Sequence, residues 1–418
     1  MDVVKDRGIG LAVLSAAALV TAGCASNPQK ARFIQENVGF AVAQTELMLK
    51  AVGEPTGQNY PRTKKGDGTL GTTHMRDWTT GFFPGSLWYL YELTGDAKWK
   101  AEAEKWTASL EPLKTFTGNH DLGFMMYCSY GNAERLASQP GYKDILVQSA
   151  NALSTRYNEK VQSIKSWDSR GAWSDDAEWK FPVIIDNMMN LELLFYASRV
   201  SSDKRFHDLS VKHANTSLKN HFRDDFSTYH VVDYDPDTGA VRSKETAQGW
   251  SDNSTWARGQ AWGIYGFTMT YRETGNTDFL NAAVNAADFF LKNLPDDFIP
   301  VWDFNVAQDG FTPRPRSNAS QFNGKLRDAS AAAIVCSALF ELSDLSGNPK
   351  YYDCAVRILT SLASPAYRAG LGENANFLLM HCVGSIPHKS EMDVPLVYAD
   401  YYFLEALVRY KKSKRSDV

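Results

Sequence analysis

Apolar and polar positions follow one repeated two-helix plan along this chain. It is visible in GSLWYLYELTGDAKWKAEAEKW (85–106), NLELLFYASRVSSDKRFHDLSVKHANTSL (190–218), WGIYGFTMTYRETGNTDFLNAAVNAADFFL (262–291) and AAIVCSALFELSDLSGNPKYYDCAVRIL (332–359). Each begins with an apolar helix and a turn holding Gly or Ser with Asp or Asn. An aromatic and a second, amphipathic helix follow. Gly95, Gly275 and Gly347 stand where the first helix would end in a left-handed cap. Trp99, Phe279 and Tyr351, a few residues on, would pin the second helix onto the first. MMYCSYGNAERLASQPGYKDILVQSANAL (125–153) is a looser copy, and VYADYYFLEALVRYKK (397–412) is a half-copy.

A helix that is apolar all round must be covered on both sides. The six leading helices therefore predict an inner ring with amphipathic partners outside. This is an all-α, (α/α)6 six-hairpin toroidal barrel, a single domain over residues 35–412. An open solenoid would use similar helix pairs, but the chain stops at about six units without evident polar caps. Strand character is confined to short pieces; TYHVVDYD with GAVRSKE reads as a hairpin within a loop.

With the inner helices parallel, the residues before each one converge on a single rim. They are Asp77-Trp78, Asp121, Asp186, Trp256/Arg258, Arg327-Asp328 and Asp393. Free N–H groups and the positive dipole end suit that rim to an anionic ligand. Asp is also a favoured N-cap, so any one of these carboxylates taken alone reads as a cap. Within TWARGQAWGIYGF (255–267), Arg258 and Trp262 share a helix face, as do Trp256 and Gln260. An Arg fork grips a carboxylate bidentately and an indole offers a stacking wall; the same residues also make structural cation–π clusters. In VIIDNMMNLELL, Asp186 follows Val183, Ile184 and Ile185. A carboxyl group so desolvated has a raised pKa, which suits a general acid. GNHDLGF sets His120 and Asp121 beside Gly123, where backbone can approach a ligand. His74, His120 and His230 each read equally as structural histidines.

Composition adds limits. The chain has 418 residues, 44% hydrophobic and 22% charged, with a net charge of −4. That is a globular balance, and it gives no reason to expect nucleic acid as a partner. Aromatics at 12% can line a sugar site or fill a helical core. Residues 1–24, with Lys5 and Arg7 before LAVLSAAALVTAGC, read as a lipoprotein-type signal peptide ending at Cys24, and 25–34 as a tether. This predicts an exported bacterial protein, periplasmic or an outer-membrane lipoprotein, touching membrane only through a lipid on Cys24. No other segment reads as membrane-spanning. Cys128, Cys336, Cys354 and Cys382 have no metal spacing and read as buried thiols, with a Cys336–Cys354 bridge open.

The motifs HMRDWTTGFFPGSLWYL, NHDLGFMMYCSYG, VIIDNMMNLELL, TYHVVDYDPDTG, TWARGQAWGIYGF and DVPLVYADYYFLEAL stand in the order found in glycoside hydrolase family 88. The chain resembles that family, the unsaturated glucuronyl hydrolases, over roughly residues 35–412. The resemblance implies a six-hairpin barrel that removes a 4,5-unsaturated uronic acid from the non-reducing end of polysaccharide-lyase products. It implies unsaturated uronic-acid oligosaccharides as partners, and no metal or organic cofactor. It also implies Asp186 as catalytic acid/base and Asp121 as second essential carboxylate. His230, Gln248, Arg258 and Trp262 would hold the sugar, with Thr246 and Trp78 as neighbours. A Ser-x-x-Ser-x-Lys arrangement in some members corresponds here to SIPHKS, with Ser385, then His388 and Lys389. Unsaturated rhamnogalacturonyl hydrolase, a sugar-binding lipoprotein and a toroidal lyase are the alternative readings.

Overall fold

The helix pairs close into a ring. The computed structural model describes residues 28–168, 179–315 and 317–415. The signal-peptide reading and Cys24 lie outside the described residues. The helices are α1 (Pro28–Val52), α2 (Phe82–Thr94), α3 (Ala97–Ala108), α4 (Leu122–Met126), α5 (Asn132–Ala137), α6 (Tyr142–Ser154), α7 (Leu191–Ser201), α8 (Lys204–His221), α9 (Ala257–Thr274), α10 (Thr277–Lys292), α11 (Ala329–Ser346), α12 (Pro349–Leu362) and α13 (Val397–Lys412). A single π turn over Tyr127–Gly131 joins α4 to α5, making one kinked inner helix.

Inner neighbours run α2, α4–α5, α7, α9, α11, α13 and back to α2. Helices α3, α6, α8, α10 and α12 pack outside them. The half-copy at 397–412 finds its partner at the other end of the chain, because α1 lies against α13 and α2. Helix α1 starts at Pro28, inside the stretch expected to be a tether. Burial follows the pattern that predicted it. Every residue from Ala257 to Thr270 of α9 is buried, whereas α12 buries only Tyr351, Tyr352, Ala355, Ile358, Leu359 and Leu362. Helix α11 is long and apolar enough to cross a membrane, contrary to the sequence expectation, but it is an inner helix of this ring.

The turns behave as predicted. Gly95, Gly275 and Gly347 end α2, α9 and α11 with φ of 73°, 69° and 70°. Asp96, Asp203, Asn276 and Asn348 then cap the following outer helices through their side chains. Such a cap contributes about 1 kcal/mol. Deeper in the ring, the Glu405 carboxylate of α13 accepts from Tyr89 of α2 at 2.6 Å, Ser337 of α11 at 2.6 Å and Tyr265 of α9 at 3.0 Å. One buried carboxyl group thus ties four inner helices. Cys128, Cys336, Cys354 and Cys382 are all free thiols, so the Cys336–Cys354 bridge is not formed.

Short sheets decorate the rim: β1 (Tyr60–Lys64) with β2 (Leu70–Thr73), β3 (Tyr157–Asn158) with β4 (Ser163–Ile164), β5 (Phe181–Ile184) with β6 (Val231–Tyr234) and β7 (Val241–Glu245), and β8 (Cys382–Ser385) with β9 (Ser390–Val394). The predicted hairpin is β6–β7, and β5 adds a third antiparallel strand that sequence reasoning did not foresee.

Candidate active site

The β5–β6 pairing assembles the centre of the site. All four residues of β5 are buried, and Ile184 lies opposite Val231. Asp186, just beyond β5, and His230, just before β6, therefore meet at one end of the sheet. His230 Nδ1 accepts from the backbone N–H groups of Ala247 at 3.1 Å and Gln248 at 3.2 Å. Burial, together with the nearby Arg258 charge, holds the imidazole pKa well below its usual value. The ring is neutral with its proton on Nε2, which faces Asp186 Oδ2 at 3.6 Å, too far for a good hydrogen bond.

Asp186 is buried and does not cap a helix. Burial pushes its carboxyl up to about 7, against the downward pull of Arg258, a backbone N–H and the Trp262 indole N–H. Asp121 occupies the N-cap position of α4, yet its side chain makes no capping bond. Its carboxyl is raised well above the usual range by burial, then by Asp186 and Asp77, with Arg156 opposing. His120 Nε2 stands 3.3 Å from Asp121 Oδ1, and burial lowers the imidazole to about 3.

Gly123 does not make room for a ligand, as its position beside Asp121 suggested. It makes room for protein: a Cβ there would sit 2.4 Å from Asn190 Cα. Asn190 Oδ1 accepts from Phe124 N at 2.9 Å in the same contact. The close approach joins the turn carrying Asp186 to the helix start carrying Asp121. Gly123→Ala should cost about 1–3 kcal/mol by overpacking. It should also lower kcat/KM by roughly 10- to 100-fold as the two turns separate. Melting temperature and kcat/KM measure both, and activity within twofold of the parent would refute the account.

The residues of TWARGQAWGIYGF divide. Arg258 is 1% exposed and lies 4.3 Å over the Trp256 ring, whose other neighbour is His230 at 4.5 Å. Its Nη1 donates to Val383 O and its Nη2 to Gly384 O at 2.7 Å. The expected free fork is thus partly engaged by backbone; Nε has no partner among the described residues. Trp262 is fully buried against Phe124 and Tyr402, so it has no face open to a sugar and offers only its N–H. Gln260 points away from the site, donating to Phe226 O and Ala286 O. The half-buried indole at the site is Trp78, which packs on Tyr398 at 5.0 Å and on Phe82 and Phe124.

Thr246 and Gln248 shape the loop after β7. Thr246 Oγ1 accepts from Gly249 N at 2.8 Å, and Gln248 Nε2 donates to Gly384 O at 3.2 Å. Ser385 ends β8 and pairs with His388 Nδ1 at 2.6 Å; burial lowers that imidazole to about 4. His74 sits in an exposed turn and accepts from Arg76 N. Asp393 does not stand at the start of α13 as expected, because β9 claims that segment and its carboxylate pairs with His381. Tyr398, in the first turn of α13, holds that place and was missed; the helix-start rule would have found it. Arg62, Asp77 and Glu391 form a missed ion cluster at the edge. Among the described residues, Asp186 Oδ2, His230 Nε2, Trp262 Nε1, Arg258 Nε and Tyr398 Oη are buried without hydrogen-bond partners. Unmet polar atoms gathered around one buried carboxyl make this cluster the candidate binding site. No grouping of His, Cys, Asp and Glu suited to a metal occurs among the described residues.

No family model matches the chain. The unsaturated glucuronyl hydrolase of Formosa agariphila is 45% identical over 92% of this chain and 94% of its own length. The unsaturated chondroitin disaccharide hydrolase of Streptococcus pyogenes serotype M1 is 32% identical, covering 91% of each chain. A crystal structure of an unsaturated glucuronyl hydrolase specific for heparin matches with a TM-score of 0.83 and 44% identity. It covers 91% of this chain and 97% of that one.

Proposed function

The chain belongs to the unsaturated glucuronyl hydrolases, which are glycoside hydrolases, and from that premise we propose how its site acts. The substrate is a glycosaminoglycan-type disaccharide or short oligosaccharide bearing a 4,5-unsaturated uronic acid at its non-reducing end. Greater identity to the heparin-specific relative than to the chondroitin relative supports heparin-type fragments as the first choice.

The C4=C5 bond of such a sugar is an enol ether, so protonation at C4 places positive charge on C5 and the ring oxygen. Asp186 supplies that proton. The observation that carries this role is a buried carboxyl near 7 whose outer oxygen lacks a partner, beside a neutral His230 Nε2–H and the Trp262 N–H. Ionised by the transfer, Asp186 then takes a proton from the water that adds at C5. The C5 hemiketal opens to a ketone, and the hemiacetal left at C1 releases the remaining sugar. Asp121 holds the sugar hydroxyls and stabilises the developing charge. The Arg258 Nε–H and Gln248 meet the uronate, and Trp78 forms a wall.

Run in heavy water, the reaction should place one deuterium at C4 of the product while the enol-ether ultraviolet absorbance disappears. Product lacking deuterium at C4 would exclude hydration in favour of direct displacement at C1. A mere binder would leave the absorbance unchanged, and a lyase would raise it.

A further inference from the structure

We propose that Asp328 is a positioning residue: it touches no substrate, but aims the Arg258 guanidinium at the uronate by locking both Arg258 and strand β8 to the start of α11. The inference rests on Arg258 meeting the sugar carboxylate, as put forward above.

Asp328 is fully buried, and its two oxygens have separate tasks. Oδ1 caps α11, accepting from Ser330 N at 3.0 Å and Ala331 N at 3.4 Å, and also accepts from Val383 N at 3.3 Å. Oδ2 faces Arg258 Nη1 at 3.4 Å. The peptides of β8 are held from both sides: Asp328 takes the N–H of Val383, and Arg258 takes the carbonyls of Val383 and Gly384. Gln248 joins at the Gly384 carbonyl. Helix α11, helix α9, the loop after β7 and strand β8 are thus cross-linked by one carboxylate, one guanidinium, one carboxamide and three peptide groups.

This arrangement does more than a cap requires. An N-cap needs one side-chain oxygen, which Ser or Asn supplies as well as Asp. The second oxygen, charged and buried against a buried guanidinium, compensates the Arg258 charge and fixes its rotation. With the Nη1 donors and one Nη2 donor engaged by protein, Nε and the second Nη2 N–H are the donors left for a ligand, and their direction follows from the lock. Tyr398, 5.4 Å from the guanidinium, and the Trp256 ring confine it on its faces.

The test compares an unsaturated uronyl disaccharide with its uronate methyl ester, which lacks the carboxylate charge. For the parent enzyme, kcat/KM should favour the acid. Asp328→Asn retains a capping oxygen but loses the charge, and should lower kcat/KM for the acid by roughly 10- to 100-fold, chiefly through KM. It should change the ester by less than about threefold, collapsing the acid-to-ester ratio. Asp328→Ser, also a good cap, guards against a folding defect and should behave alike, with melting temperature as the check. Arg258→Met should collapse the same ratio, and Asp328→Asn added to it should cost nothing further. Equal losses on acid and ester, or full additivity with Arg258→Met, would mean that Asp328 is structural only. An unchanged ratio in Arg258→Met alone would instead overturn the role of Arg258, and the present inference with it.

Discussion

Asp186→Asn is expected to reduce turnover by at least about 10⁴-fold while leaving the fold intact. An amide cannot deliver a proton to C4 or collect one from water, and this mechanism asks one group to do both. The surroundings make the prediction sharper. Asp186 lies behind the wholly buried strand β5, so its neutral form is stabilised by burial up to about 7. The acid form drives the first step, and a carboxyl with this pKa is neutral below about 7 and ionised above it. Thus kcat/KM should fall by about tenfold per pH unit above that point. Circular dichroism and melting temperature establish that the variant is folded; steady-state rates across pH give the rest. Near-parental activity in the folded variant would remove Asp186 from the chemistry, and a rate still rising well above pH 7 would remove its role as acid.

Asp121→Asn carries the second-largest expected loss, about 10²- to 10³-fold, mostly in kcat. Asp121 is driven toward its neutral form by burial and by the Asp186 and Asp77 carboxylates, with Arg156 pulling the other way. Positive charge forming at C5 and the ring oxygen is stabilised by the electron-rich oxygens of Asp121 with no proton transfer from it. The effect should therefore appear at the transition state, with KM little changed. If the two carboxylates work as a unit, the double variant should be no slower than Asp186→Asn alone. A loss confined to KM would reassign Asp121 to ground-state binding.

Much of this was legible in order. The repeats announced themselves because helix period, glycine cap and following aromatic are local signals, and Gly275 with Phe279 occupies the predicted places. The β6–β7 hairpin was legible for the same reason. Strand β5 was not, since FPVI is a short apolar run that suits a buried helix or strand equally. The two indoles of TWARGQAWGIYGF read alike as sugar platforms. Only packing shows that Trp256 lies between His230 and Arg258, and that Trp262 is closed over by Phe124 and Tyr402.

The amino-acid sequence by itself determined a ring of helix pairs and the residue type standing near each inner helix start, because periodicity and capping act within a few residues. Which aspartates are caps and which are not was decided by tertiary structure. Asp328 binds its own helix, Asp393 is drawn off onto β9, and Asp121 and Asp186 keep carboxyls that cap nothing. The difference is one of distance along the chain. A carboxyl group's hydration, its neighbouring charges and its partners come from residues such as His230 and Arg258, which only the closed ring brings beside it.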